Sequence, residues 1–315
     1  MTDFLEILRC PLCAGPLFRA DGCLRCADGH SYDPARAGYV NLLPPGRKNN
    51  AKTGDEREMI RARSEFLRRG FYDPIDEALS ADLSSVLPQT DADAPLRVCD
   101  MGAGEGYHTC KSAALLAEKT GRHVDVYGFD ASKSGAEAGC RLAKALGFLP
   151  KDGIAAPGEA WNPESPVRAA VLPGNLFHLP VADASMHAAL SLFAPVAWEE
   201  AARVLSPGGV LAVVSAGREH LLAMRAVLYD EVRLTDFHPA PPEDFSGFTL
   251  LGRRTVDFPV TLSSRDEIAA LFMMTPFWHR TGDAGRARLA SLDHLTVTAS
   301  AEISLWEAHP CSSPS

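Results

Sequence analysis

Cys10, Cys13, Cys23, Cys26 and His30 fall within twenty-one residues of "CPLCAGPLFRADGCLRCADGH". Thiolate and imidazole donors this dense suit a tetrahedral zinc ion better than chance composition. Cys10 and Cys13 form a C-x2-C knuckle, and Cys26 and His30 a second pair with three residues between. The pattern C-x2-C-x12-C-x3-H supplies four ligands for one closed structural site. On spacing alone, Cys23 with Cys26 offers a competing all-cysteine set. Cys99, Cys110, Cys140 and Cys311 are scattered, with no disulfide-framework spacing. So short a segment buries little apolar surface, and bound metal would supply the missing stability.

The second reactive stretch is "PLRVCDMGAGEGYHT". A short apolar strand ends at Asp100. Gly102, Gly104 and Gly106 follow with Glu105 among them, and then a helix pattern begins. Strand, glycine loop and helix open a Rossmann-type sheet. The G-x-G-x-G spacing is not the G-x-G-x-x-G of dinucleotide enzymes. With Asp100 two residues before the first glycine, it resembles the first motif of class I S-adenosylmethionine (SAM) methyltransferases. Asp130 ends the next strand, "VDVYGFD", where its two oxygens suit a ribose diol. "GNLFHLPVADAS" resembles the segment that closes over adenine, which brings in Asn175 and Leu176. "SLFAP" ends a fourth strand at a substrate-facing place, and "RVLSPGGVLAVVSAG" gives a helix end, a turn and a fifth strand.

These elements predict an α/β fold. A small zinc-binding domain over 1–44 precedes a linker and basic amphipathic helix over 45–90 and a Rossmann-like methyltransferase domain over 91–315. "PPGRKNNAKTGD" reads as the linker. In "EREMIRARSEFLRRGFYDPI", Met59, Ala62 or the Arg63 stem, Phe66 and Leu67 make an apolar stripe, with Arg57, Arg61, Arg68 and Arg69 mostly elsewhere. Composition is that of an ordinary globular chain: 315 residues, 46% hydrophobic and 23% charged. The opening residues predict no signal peptide, and no apolar run reaches membrane-span length, so a reducing cytoplasm is the expected setting. Net charge is −9, unevenly spread. Residues 1–72 hold 12 Lys/Arg against 9 Asp/Glu, a net of +3, while the remainder holds 19 against 31, a net of −12. Within 36–69 the balance is 9 against 4, or +5. A basic segment of this kind can meet phosphate while the acidic bulk faces away.

The zinc knuckle, "GHSYDPARAGYVNLLP", "GDEREMIRARSEFLRRGFYDPI", "DMGAGEGYHT", "FDASK", "RVLSPGG", "REHLLAMRAVLYDEV" and "MTPFWHR" together resemble the RlmA family. Its members methylate guanine N1 in a hairpin of 23S rRNA and include enzymes that protect the ribosome against tylosin-like macrolides. The resemblance spans nearly the whole chain. It implies SAM as methyl donor, one structural zinc on Cys10, Cys13, Cys26 and His30, and a 23S rRNA hairpin as partner. It also implies SAM contacts at Tyr72, in the Gly104–Gly106 loop and at His220, and it allows a homodimer. The chain departs from the family at "SAGREHL", with Glu219 in place of an arginine, and at "SLFAP", with Ser191 in place of another. Asp183, His187, Glu219 and His220 are the candidates for taking the guanine N1 proton. Phe18, Tyr32 and Tyr39 could stack on splayed bases, although packing of the small domain is the simpler use of each. Two rival readings remain on sequence alone. One is a SAM enzyme acting on a small metabolite or natural product, and the other a non-catalytic RNA-binding protein that keeps SAM as a structural ligand.

Overall fold

The computed structural model describes residues 3–44, 57–88, 94–232, 234 and 237–309. Most of the expected linker, and Cys311, lie outside the described residues. The N-terminal module is a three-stranded antiparallel sheet of β1 (Phe18–Ala20), β2 (Cys23–Arg25) and β3 (Ser31–Tyr32). Asp21 and Gly22 close the β1–β2 hairpin with φ of 50° and 77°, the left-handed pair that a two-residue turn requires.

Two helices follow. The first, α1 (Arg57–Leu67), buries Met59, Ile60, Ala62, Phe66 and Leu67. Its apolar face therefore includes Ile60 as well as the expected stripe. Arg57, Arg61, Arg68 and Arg69 are exposed. The helix stops at Leu67, and α2 (Asp73–Val86) begins after a turn, with a proline in its first turn, where a missing N–H costs nothing.

The large sheet has seven strands: β4 (Leu96–Met101), β5 (Val124–Asp130), β6 (Val167–Pro173), β7 (Met186–Leu192), β8 (Leu205–Ala216), β9 (Phe248–Leu262) and β10 (Leu295–Ala308). Their order is β6-β5-β4-β7-β8-β10-β9. The first five are parallel, and β10 runs antiparallel to both β8 and β9. β5, and β6 at the sheet's edge, are buried almost without interruption, as expected of parallel strands covered on both faces. α3 (Tyr107–Thr120) and α4 (Lys133–Ala145) are the crossovers after β4 and β5. α5 (Trp198–Val204) leads into β8 and α6 (Leu222–Leu228) leaves it; α7 (Arg265–Met273), α8 (Phe277–Arg280) and α9 (Asp283–Ala290) join β9 to β10. This is a Rossmann-like sheet with a small antiparallel module at its N-terminus. Among the described residues, no helix is long and apolar enough to cross a membrane.

The ribbon and the sheet share one continuous core. Phe4 stacks on Tyr127 at 4.2 Å between centroids and lies 4.8 Å from Trp161. The Tyr127 hydroxyl donates to the Phe4 carbonyl at 2.9 Å. Behind Phe4, Arg168 lies 5.6 Å from its ring and forms a bidentate pair with buried Asp125, at 2.6 and 2.5 Å. Phe4→Ala should cost about 3–5 kcal/mol in urea unfolding. A loss below about 1 kcal/mol would mean that this stack does not hold the ribbon.

Candidate cofactor and metal sites

The four expected metal ligands converge. Cys10, Cys13 and Cys26 Sγ and His30 Nδ1 all lie within 4.8 Å of one another. His30 Nδ1 is 3.5 Å from Cys10 Sγ and 3.3 Å from Cys26 Sγ, and Cys13 and Cys26 Sγ are 3.6 Å apart. Ligands about 2.3 Å from a tetrahedral zinc stand about 3.8 Å from each other, so the set fits one ion with small adjustments. Cys23 is not part of it. Its thiol is buried and donates to the Ala20 carbonyl at 2.9 Å, with Ser31 Oγ at 3.3 Å.

Three thiols around one point cannot all ionise without a cation. Burial raises the Cys10 thiol, but the Tyr32 hydroxyl at 3.0 Å and the amides of Leu12 and Cys13 outweigh it, bringing the pKa to about 6. The Gly15 amide lowers Cys13, yet burial and the neighbouring Cys10 and Cys26 thiols push it up to about 12. A divalent ion removes this conflict by stabilising all three thiolates. The Tyr32 hydroxyl is thus tied to a ligand of the expected metal set. Tyr39 is half-buried against the core, while Phe18 is exposed.

The remaining predicted residues line up along the carboxyl ends of the parallel strands, where α/β sheets bind ligands. Gly102, Gly104 and Gly106 all have positive φ. A Cβ on Gly102 would stand 2.5 Å from Ala194 Cβ, and one on Gly106 2.9 Å from the Gly139 backbone, so the loop admits no larger residue there. Asp130 Oδ2 accepts from the Gly104 amide at 3.0 Å and Oδ1 from the Ser132 amide at 2.7 Å. Asn175 and Leu176 form a turn just beyond β6, tied to Asp130 through Gly174 N donating to the Asp130 carbonyl at 2.9 Å. At the other end of the row, the Tyr72 hydroxyl lies 3.5 Å from His220 Nε2. His220 Nδ1 is 2.8 Å from the Ser300 carbonyl. Burial lowers His220 to about 4, so the ring is neutral at pH 7.

Two residues were not singled out as site residues in the sequence, Arg63 and Asp76, and the setting of a third, Asp100, was not evident there. Arg63 reaches from α1 over the glycine loop, with Nη1 3.5 Å from Glu105 Oε2 and 3.0 Å from where a Gly104 Cβ would stand. A charged residue within an apolar helical stripe was its only sequence signal. Asp100 is wholly buried and pushed up to about 7 by desolvation, with Thr109 donating to Oδ2 while Oδ1 has no hydrogen-bond partner. Asp76 of α2 is fully buried and holds His108 Nδ1 at 2.8 Å and the Ser112 hydroxyl at 2.9 Å, locking α2 onto α3.

The candidate bases separate by position. Asp183 and His187 sit at the opposite, amino-terminal end of β7. There Arg203 binds Asp183 at 2.5 Å, and the Arg97 amide donates to His187 Nδ1 at 2.9 Å. Asp183 and His187 thus lie at the opposite end of the sheet from the glycine loop, whereas Glu219 and His220 follow the carboxyl end of β8. Ser191 is fully buried and donates to the Ala194 carbonyl at 3.3 Å; Phe193 and Pro195 are the exposed residues of "SLFAP".

The metal set yields a direct test. Wild-type protein and Cys23→Ser should each carry one zinc per chain by mass spectrometry after mild chelator challenge. Cys26→Ser and His30→Ala should lose it. Loss in Cys23→Ser with retention in His30→Ala would establish the all-cysteine set instead.

Comparison with known proteins adds to this geometry. A family model described as "RlmA, N-terminal", a zinc ribbon, matches residues 8–51. A Micromonospora griseorubida protein, provisionally named a 23S rRNA (guanine-N1)-methyltransferase, is 33% identical over 96% of this chain and 98% of its own. The 23S rRNA (guanine(748)-N1)-methyltransferase of Streptomyces fradiae is 30% identical over 92% of each. Among solved structures, loganic acid methyltransferase with S-adenosylhomocysteine covers 84% of this chain and 99% of that one, at 13% identity and a TM-score of 0.49. With relatives this similar over nearly its full length, the chain belongs to the RlmA-type family of 23S rRNA (guanine-N1)-methyltransferases.

Proposed function

We propose that the protein transfers a methyl group from SAM to N1 of a guanine in a 23S rRNA hairpin, working in the cytoplasm and, as the family resemblance allows, as a homodimer. The observation that carries this reading is the pairing, in one chain, of a metal-ligand ribbon with a glycine loop, over the full span of relatives named for that reaction.

SAM supplies an electrophilic methyl on a positively charged sulfur, so the reaction needs no catalytic metal. The chain's own residues bind and orient. Gly102, Gly104, Glu105 and Gly106 form the close-approach loop. Asp130 is set for the ribose hydroxyls, since a carboxylate oxygen accepts more than one hydrogen bond. Asn175 and Leu176 close on adenine. Arg63 brings a guanidinium suited to the methionine carboxylate. The orphaned Asp100 oxygen suits the cofactor's cationic end. Tyr72 and neutral His220 wall the far end. Guanine N1 must leave its stack and lose its proton before its lone pair can attack, and fixed placement supplies much of the acceleration. The exposed arginines of α1 suit the RNA phosphates.

The test is incubation with tritiated-methyl SAM and unmodified 23S rRNA, followed by reverse transcription. Methylation at N1 blocks the Watson–Crick edge, so the expected result is label in the rRNA and one strong stop at a guanine in a stem-loop. Intact SAM binding with no label in rRNA, together with transfer to a small molecule, would replace this reading with that of a metabolite methyltransferase.

A further inference from the structure

Phe193, in the turn after β7, is a large aromatic residue where the backbone conformation favours glycine. Its φ is 53°, in the left-handed region that a side chain of this size rarely enters. Among the described residues it is the only aromatic one with positive φ. Glycine would take this conformation without strain. The chain places a ring there instead and leaves it 41% exposed. Strain of this kind persists only where the surrounding structure holds it, and it gathers at ligand sites.

The turn is firmly tied. Phe193 N donates to the Val214 carbonyl of β8 at 2.8 Å. The Ser191 hydroxyl closes the turn on the Ala194 carbonyl. Ala194 in turn presses on the first glycine of the cofactor loop, where a Gly102 Cβ would stand 2.5 Å from its own. The ring is braced as well. The His220 ring lies 5.9 Å from it, tilted by 35°, and the Tyr72 ring 6.3 Å, tilted by 42°. Buried Tyr72 is itself set edge-on to Phe66 and Phe258. Phe193 is the most exposed of these three braced rings.

None of the three carries charge at neutral pH, since burial lowers His220 to about 4 and raises Tyr72. An uncharged aromatic face suits the flat face of a base rather than a phosphate. Stacking engages that face and leaves the edge of the base free. N1 of guanine lies on the edge, so a guanine laid on Phe193 can keep N1 turned to the methyl donor. Phe18, Phe177 and Phe237 are more exposed, but none of them has positive φ.

We propose that Phe193 carries the flipped guanine, its ring stacking on the base beside the methyl donor while Tyr72 and His220 hold the ring in place. This rests on the guanine-N1 reading above and deepens it by naming a residue that positions the base. Every base has a face to stack, so Phe193 fixes the plane of the base without selecting guanine.

The test is a binding cycle on the hairpin that gives the reverse-transcription stop, with its target guanosine intact or replaced by an abasic site. Saturating S-adenosylhomocysteine is present throughout, so that no base is modified and cofactor affinity does not enter. Wild-type protein should bind the intact hairpin at least about tenfold more tightly than the abasic one. Phe193→Ala should cut that difference by at least about fivefold, as expected for loss of one aromatic–base stack. Phe193→Asn, a residue at home at positive φ, should do the same and decides the matter if the alanine protein does not fold. A smaller preference in wild-type protein overturns the proposal, and so does a smaller cut in either folded variant. Absence of methylation on the guanosine hairpin with wild-type protein would instead overturn the rRNA reading itself.

Discussion

Phe4 lies between Tyr127 and Trp161, with the Arg168–Asp125 pair behind it, and the cofactor end of the molecule depends on this anchor. From it the ribbon's backbone joins the large domain at several points. Arg9 N donates to the Pro180 carbonyl and Ala182 N to the Ile7 carbonyl, both at 2.8 Å, while Leu42 N donates to the Pro173 carbonyl at 2.9 Å. These contacts bracket residues 174–179, the segment that carries Asn175 and Leu176. The ribbon therefore grips both ends of the turn expected to close on adenine. Metal holds the ribbon in shape, aromatic packing holds it to the sheet, and backbone hydrogen bonds carry that order to the cofactor row.

A second clamp works from the other side. α1 and α2 are adjacent in sequence but serve different ends of the site. Arg63 of α1 covers the glycine loop, and Asp73 and Asp76 of α2 bind Tyr107, His108, Lys111 and Ser112 of α3. The loop lies between an arginine above and a helix locked in place below. Tyr72, at the junction of the two helices, reaches His220 and the rings of Phe193 and Phe258.

Sequence showed the parts of the site that depend on short spacing. Two ligand pairs, a glycine loop after an acid, and an acid ending the next strand are set by local chain geometry, so they can be read a few residues at a time. Even there, spacing could not choose between Cys23 and His30; in the structure His30 joins the three-cysteine cluster while the Cys23 thiol turns toward Ala20 and Ser31. What sequence did not show depends on tertiary placement. Arg63 looked like the stem of a stripe residue, α2 ran unmarked into α1, and nothing local showed that Ser191 is buried. Asp183 and His187 have suitable chemistry and lie at the wrong end of the sheet, which only strand direction reveals. The antiparallel β9 and β10 pair across more than thirty intervening residues even at their nearer ends, Leu262 and Leu295, beyond the reach of local pattern.

The metal-held ribbon and the cofactor edge thus form one mechanical unit. Calorimetric titration of SAM into zinc-loaded protein and into the same protein stripped by chelator tests it most directly. The account predicts that removing zinc weakens SAM affinity at least about tenfold, equivalent to about 1.4 kcal/mol, and that adding zinc back restores it. Equal affinity in the two forms would contradict it and would leave the ribbon as a module for RNA alone.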